Sequence, residues 1–247
     1  MYTGFARIYD QLMRDVPYDA WADRLCQMLL ETGVAKGARV AECACGTGSL
    51  TFRLAKRGYR MTGVDLSGDM LEIAMDKCRT GGQMVPFVRQ DMRKLSLPRR
   101  ADAVLCTCDG VNYLTDDESL SAFFTAAHQA LKPGGVLIFD VSTPHKLKNI
   151  LGNNTLTRTE ADFAYIWHNR FDEKKQQVHL NLTLFTGESG HIVRTEESQC
   201  QKAWDRETLK KHLAACGFTD IAFTGKFRNT PPRSRDDRWM VAARKPL

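Results

Sequence analysis

The stretch Val40-Ala41-Glu42-Cys43-Ala44-Cys45-Gly46-Thr47-Gly48 constrains the fold of this chain more than any other. Lys36-Gly37 breaks what precedes it, and Arg39 and Val40 lead into small residues, which predicts a short buried strand. Gly46 and Gly48 then permit positive φ and let the backbone approach a ligand closely. Leu50, Phe52, Leu54 and Ala55 follow at spacings a short helix uses, until Gly58 stops it. Strand, glycine loop and helix in that order open the nucleotide site of a doubly wound α/β sheet. The glycine spacing alone also fits an ordinary strand-to-helix turn, so its context carries the argument.

Two details of that context select the ligand. A dinucleotide fingerprint needs G-x-G-x-x-G, with the helix N-terminus facing a pyrophosphate. Here Thr51 stands at the third glycine position, and Glu42 places a carboxylate just ahead of the loop. That charge repels a pyrophosphate and attracts an ammonium. S-adenosylmethionine carries an ammonium and a sulfonium and no phosphate. The stretch resembles motif I, (D/E)-x-G-x-G-x-G, of the class I S-adenosylmethionine-dependent methyltransferases. Ala44 departs from it, standing where the family usually has its first glycine.

The rest of the chain extends the resemblance. A second strand, Arg60 to Val64, ends in Asp65, seventeen residues after Gly48. The spacing is close to the ~20 expected of an acid that reaches a ribose, and a carboxylate there accepts from both hydroxyls. Ser67 is placed to cap a helix carrying Met70, Leu71, Ala74 and Met75. A third strand, Val85 to Arg89, precedes Gln90-Asp91-Met92. The resemblance puts an Asp here on the adenine amino group, with Met92 beside the base. A fourth strand, Ala101 to Cys108, runs into Asp109-Gly110-Val111-Asn112-Tyr113, which in the family lies under the methyl group and the amino-acid tail. Thr115-Asp116-Asp117-Glu118 reads as a capping box, opening a helix with Leu120, Phe123, Phe124, Ala127 and Leu131. Lys132-Pro133-Gly134-Gly135 then stops the helix ahead of a fifth strand, Val136 to Val141, a second family hallmark.

Alternating strands and helices over 38–141 predict a parallel sheet with helices on both faces. From 145 to 203 the pattern becomes antiparallel β. Val178, Leu180, Leu182 and Leu184 alternate with His179, Asn181, Thr183 and Phe185, as in a half-buried strand. Phe163–His168 precedes it across Asp172-Glu173-Lys174-Lys175, and His191–Gln201 follows the turn Gly187-Glu188-Ser189-Gly190. An insertion after strand 5 sits over the strands' carboxyl ends, so 145–203 reads as a substrate lid; a stabilising appendage or a dimer interface is the alternative. Asp205 caps a helix through Leu209 and Leu213. Ile221–Phe227 and Arg238–Ala243 then close the sheet as a hairpin. That hairpin, with an inserted antiparallel last strand, belongs to the methyltransferase version of the sheet and not to the dinucleotide-binding one. The expected fold is a doubly wound, seven-stranded, mostly parallel α/β sheet, with residues 1–144 and 204–247 forming the cofactor domain.

Ahead of the first strand lie the aromatics Tyr2, Phe5 and Tyr9, then a helix expected to be capped by Asp19, with Trp21, Leu25, Met28 and Leu29 on one face and Gly33 at its end. Phe5-Ala6-Arg7-Ile8-Tyr9-Asp10, with Tyr18 and Trp21, resembles the cofactor-covering cap of small methyltransferases, which places residues 1–35 over the cofactor. They also fit as core residues of two leading helices. The candidate cofactor set is Tyr9, Trp21, Glu42, Ala44, Cys45, Gly46, Gly48, Asp65, Leu66, Met70, Asp91, Met92 and Cys108.

The 247 residues suit one domain with an elaboration. No apolar run reaches membrane-helix length and no export signal opens the chain. The eight cysteines therefore read as reduced thiols of a cytoplasmic protein. Cys43-x-Cys45 and Cys106-x-Cys108 lack the usual two-residue zinc spacing, so small apolar filler is preferred to a metal site. Lys and Arg exceed Asp and Glu by a net +6, dispersed except for Arg228, Arg233, Arg235 and Arg238.

The resemblance implies in-line methyl transfer, in which position matters more than a signature triad. His145, Asp109 and Tyr113 are positioned to act as a base where an acceptor must lose a proton. His128 reads as structural, His179 has no support, and no catalytic residue is assigned. The acceptor expected is a small molecule, with the chain a monomer or homodimer. The separate lid and the lack of a nucleic-acid-reading module point there. Neither N-P-P-Y nor Pro-Cys follows strand 4. The alternatives are a nucleic-acid or protein methyltransferase, a nicotinamide-dependent oxidoreductase, and a cofactor-binding sensor that transfers nothing.

Overall fold

A computed structural model describes residues 3–188 and 191–247. Tyr2 and the Ser189-Gly190 half of the expected lid turn lie outside the described residues. The first half of the chain runs α1 (Thr3–Leu12), α2 (Tyr18–Glu31), β1 (Arg39–Cys43), α3 (Ser49–Lys56), β2 (Arg60–Asp65), α4 (Gly68–Thr80), β3 (Phe87–Arg89), β4 (Ala101–Cys106), α5 (Asp117–Ala130) and β5 (Leu131–Ser142). The second runs β6 (Thr155–Thr159), β7 (Phe163–Asp172), β8 (Gln177–Glu188), β9 (His191–Lys202), α6 (Arg206–Ala215), β10 (Thr219–Gly225) and β11 (Arg238–Arg244).

Seven strands form one sheet in the order β3-β2-β1-β4-β5-β11-β10. β11 is antiparallel to both of its neighbours, and the other pairings are parallel. Successive residues of β4 face opposite cores. Val104 packs with Phe123 and Phe124 of α5 and Leu209 of α6; Leu105 packs with Leu25 and Leu29 of α2 and Leu54 of α3. A sheet covered on both faces explains why its strands read as continuous apolar runs.

Sequence and structure part at several boundaries. Pro17, not Asp19, precedes the first turn of α2. Proline presets φ for a helix start, and Asp19 lies inside that turn, its carboxylate 3.3 Å from Arg53 and 3.4 Å from Arg57 of α3. Asp116 alone caps α5, accepting from the Ser119 amide at 2.7 Å, so the expected Thr115–Glu118 box does not form. β4 ends at Cys106, two residues early, because Cys108 and Asp109 turn into the left-handed region at φ 56° and 70°. β5 starts at Leu131, which pairs with Ala101, ahead of the expected break at Lys132–Gly135. Ser67 and Asp205 cap as expected, through the amides of Met70 and Thr208.

The insertion is a separate antiparallel sheet in the order β6-β7-β8-β9, reached from β5 through a π-helical turn at Lys146–Leu151. β6 was not expected: its residues are mostly exposed and carry no alternating pattern. α1 lies between this second sheet and α4, with Phe5 and Ala6 packed among Met70, Phe163 and Leu184.

Candidate functional site

At the end of β1 the chain turns through three left-handed residues, Ala44 (φ 52°), Gly46 (φ 54°) and Gly48 (φ 68°). A Cβ on Gly48 would stand 2.9 Å from the Ala74 Cβ and 3.3 Å from the Phe87 ring, so glycine here lets α4 and β3 close in. A Cβ on Gly46 would meet nothing within 4 Å, which leaves the outer side of the loop clear for a ligand. Ala44 holds a conformation that costs a non-glycine residue roughly 1–2 kcal/mol. Gly gives back roughly 0.5–1 of that through unfolded-state entropy. Ala44→Gly is therefore expected to stabilise the fold by about 0.5–1 kcal/mol, read as a raised urea midpoint with unchanged m-value. A lowered midpoint would show that Ala44 is unstrained.

Asp65 closes the other side of this loop. Its two oxygens accept from the amides of Gly46, at 2.8 Å, and Ser67, at 2.9 Å. It is only partly buried, and each oxygen keeps a further lone pair for a ligand hydroxyl. Burial pushes its pKa up, against the pull of those two amides. Beside it Leu66 is 61% exposed, an apolar surface with no covering side chain. Met70 is instead buried under α1. Asp91 is held by its own neighbour: Arg93 donates Nε and Nη2 to it at 2.9 and 2.6 Å, which lowers its pKa. Met92 is half-buried with its sulfur 3.8 Å from the Cys106 thiol. Asp65, the loop and Leu66 fit an adenosine directly, whereas Asp91 reaches a base only by sharing its oxygens with Arg93.

Glu42 differs from its expected role as a contact. It is 2% exposed, and its two oxygens accept from the hydroxyls of Thr51 and Thr107, the latter at 3.0 Å. The Thr51 hydroxyl thus uses the position where a dinucleotide fingerprint has glycine. Burial raises the Glu42 pKa from 4.5 to about 7. The folded state binds this proton more tightly than the unfolded chain, so stability falls as pH rises from 4.5 to about 7. The loss across that window is about 3 kcal/mol. Glu42→Gln lacks this titration. Its stability relative to the parent is expected to rise by about 2–3 kcal/mol between pH 4.5 and pH 8 in urea titrations; a pH-independent difference would refute the shift.

The ends of β4 and β5 carry a charge network that the sequence did not reveal. Asp140, fully buried in β5, accepts from the amides of Cys108 (2.6 Å) and Asp109 (3.2 Å) and so pins their left-handed turn. Arg238, from the start of β11, bridges the carboxylates of Asp109 and Asp140. Burial opposes ionisation of Asp109, yet Arg238 and Lys146 bring its pKa well below the usual carboxylate range; Asp140 remains raised by burial. Asp109 also accepts from the Ser142 hydroxyl at 2.7 Å. Asn112 joins both ends of the insertion, donating to the carbonyls of Ser142 (3.0 Å) and Lys202 (2.9 Å).

α1 is latched to the glycine loop and to α4. Asp10 of α1 accepts from the Thr47 hydroxyl at 2.6 Å and pairs with Lys77 of α4 at 2.7 Å. Tyr9 is half-buried, edge-on to Phe5. Tyr18 has its hydroxyl pKa raised, chiefly by burial, with Cys108, Asp10 and Glu42 close to it, which places it among the loop residues. Trp21 is 2% exposed beneath Arg238 and Lys226, so it supports the network and has little surface to offer a ligand.

Residues 40–135 match the family model described as a methyltransferase domain. The YqeM protein of Bacillus subtilis (strain 168) is 32% identical over 99% of this chain and 97% of its own length. A solved S-adenosylmethionine-dependent methyltransferase from Clostridium acetobutylicum ATCC 824 superposes with a TM-score of 0.89 at 30% identity, covering 100% of this chain and 99% of that one. The chain belongs to the class I S-adenosylmethionine-dependent methyltransferases. The glycine/sarcosine N-methyltransferase of Aphanothece halophytica is a further relative, 24% identical over 98% of this chain and 88% of its own. Membership removes the nicotinamide alternative and implies S-adenosylmethionine as the methyl donor.

In this methyltransferase the residues weighed as bases all have partners. Asp109 is bound to Arg238. The Tyr113 hydroxyl donates to Gln199 at 2.7 Å, and His145 Nδ1 lies 2.9 Å from the Asn149 amide. His128 sits edge-on to Phe218 in the α5–α6 region, away from the strand ends. His179 aligns with Arg170 and Cys200, on the face of the second sheet opposite its buried Val178 and Leu180.

Proposed function

We propose that this enzyme methylates a small-molecule acceptor held between the β6–β9 sheet and the carboxyl ends of β1, β4 and β5. The observation that carries this reading is the attachment of the second sheet: Asn112 and Tyr113, which follow β4, bond Lys202 and Gln199 of β9. An acceptor there lies against the segment on which the family places the reacting methyl. Residues 145–203 then serve as the substrate lid and α1 as the cap. The glycine/sarcosine relative, by its name, also acts on small molecules.

In this reading Asp65 accepts from the ribose and Leu66, Asp91 and Met92 surround the adenine, while Met70 stays packed under α1. Ala44, Cys45, Gly46 and Gly48 bring backbone to the amino-acid tail. Cys108 lies under the sulfonium end and Tyr9 closes the cap, while the buried Trp21 supports Arg238 without touching the ligand. Glu42 acts on the ammonium through its charge and not by contact. S-adenosylmethionine supplies a methyl group already activated on sulfur. The protein orients the acceptor in line and excludes water, and neither task requires a dedicated base. Among the described residues no helix is long and apolar enough to cross a membrane. We place the enzyme in the cytoplasm, where its eight thiols stay reduced.

The test is tritium transfer from methyl-labelled S-adenosylmethionine into separated fractions of a cell extract. Label in the protein- and nucleic-acid-free fraction supports the reading. Label only in protein or nucleic acid, or in no fraction, overturns it.

A further inference from the structure

Along the inner face of the second sheet, burial is high at both ends and low between them. At one end Phe171, Val178 and Leu180 are sealed by Leu147 of the π-helical turn. At the other, Phe163 and Leu184 are sealed by Phe5 of α1. Between the seals Trp167 and its cross-strand partner Leu182 are only half-buried. Two residues along β7 from Trp167, on the same face, stands Asn169.

Asn169 is fully buried, and neither its amide nitrogen nor its amide oxygen has a hydrogen-bond partner among the described residues. The Trp167 indole nitrogen is likewise buried and unpartnered. Leaving such groups unpaired destabilises a fold, and leucine at 169 would fill the same space without that cost. Three unmet polar atoms therefore lie on one face of β7, the face against which Leu147, five residues past the end of β5, packs. Their chemistry is specific: the amide offers two donors and an acceptor, and the indole adds one donor.

We infer that Trp167 and Asn169 recognise the methyl acceptor, and that it is a small uncharged molecule bearing a hydroxyl or carbonyl group beside an apolar surface. The polar group satisfies the Asn169 amide and the indole N–H, while the apolar part lies against Leu182 and the Trp167 ring. A hydroxyl or carbonyl matches this set because it accepts from two donors, and a hydroxyl also returns a proton to the amide oxygen. The inference rests on the small-molecule reading above and adds the residues that select the substrate.

The experiment compares the parent enzyme with Asn169→Leu and Trp167→Phe, using methyl-labelled S-adenosylmethionine and the protein- and nucleic-acid-free extract as acceptor source. Product label from Asn169→Leu is expected to fall about 10- to 100-fold, and from Trp167→Phe about 5- to 10-fold. S-adenosylhomocysteine affinity, by calorimetry, should stay within about twofold of the parent, and the urea midpoint of Asn169→Leu should rise because an unpaired group is gone. In the folded parent carrying S-adenosylhomocysteine, the Trp167 indole N–H resonance should shift when the extract is added. A purely structural asparagine would move neither that resonance nor the label. Label within about twofold of the parent in Asn169→Leu overturns the inference and leaves the small-molecule reading intact. Should Asn169→Leu fail to fold, Trp167→Phe and the resonance decide in the same way. If the parent labels no small molecule, the functional reading fails and this inference falls with it.

Discussion

Asp65→Ala is expected to weaken S-adenosylhomocysteine binding by at least about 100-fold. Two effects combine at this side chain. The carboxylate supplies the charge-assisted acceptors for a ribose diol, each worth about 1.5–3 kcal/mol. It also accepts from the amides of Gly46 and Ser67, tying the glycine loop to the start of α4. Alanine loses the first and releases the second. Asp65→Asn separates them: it keeps the shape and one oxygen, but turns an NH2 toward one of the two backbone donors. Its loss should be intermediate, about 10-fold to 30-fold. Calorimetric titration of both variants with S-adenosylhomocysteine measures this, with circular dichroism confirming the fold. Because burial raises the Asp65 pKa, its acceptor strength in the parent should also decline at acid pH sooner than for an exposed aspartate. Undiminished binding in Asp65→Ala would remove the ribose assignment, and the placement of adenosine along Leu66 and Asp91 with it.

Asp65 was legible in the sequence because everything that fixes it is local. A strand, a glycine loop and an acid one strand later follow from short-range spacing, and the sheet order follows from the same alternation. Glu42 shows where that logic stops. Its position before the loop was visible, but its partners were not: Thr107 is sixty-five residues away, and Thr51 looked only like a missing glycine. The helix starts failed for a smaller reason, since Asp19 and Thr115 are good capping types that lost to Pro17 and Asp116, two residues and one residue away. β6 escaped because an exposed strand carries no alternation. Asn169 of the second sheet, whose amide has no partner among the described residues, escaped for the opposite reason: asparagine at an inward position of β7 reads from sequence as an ordinary polar residue until its surroundings are known.

Arg238 is the other residue whose loss should be large, and it was hidden by distance and by company. It lies ninety-eight residues from Asp140 and among Arg228, Arg233 and Arg235, which made it look like one of a set of solvated charges. The signal was at the other end: Asp140 interrupts the apolar run Val136–Val141, and a carboxylate buried in a central strand demands a cation. Arg238→Met removes that cation while keeping much of the side-chain volume over Trp21. Asp140 is then left buried without its bridging cation and Asp109 keeps only Lys146, 4.0 Å away, and the expected destabilisation is about 3–5 kcal/mol.

The pH dependence identifies the cause. In the parent, Asp109 titrates well below its unfolded range, so the stability it contributes is present above about pH 4 and is lost only in stronger acid. Without Arg238 the burial of Asp140 goes unopposed and its pKa rises further, while Asp109 loses the larger of the two cationic pulls that hold it down. The variant then binds protons more tightly folded than unfolded, and its stability falls as pH rises from about 4 toward neutrality. Its deficit relative to the parent should therefore be larger at pH 8 than at pH 5 in urea titrations. An equal deficit at both would assign the loss to packing and not to charge. Adding Asp140→Asn to Arg238→Met should recover part of the loss at pH 8, since an amide needs no counter-ion. It should not restore the Cys108–Asp109 turn, because the amide nitrogen cannot accept from a backbone N–H as the lost carboxylate oxygen did. The double variant should thus regain stability while methyl transfer stays impaired, which separates the network's part in holding the fold from its part in shaping the floor of the site.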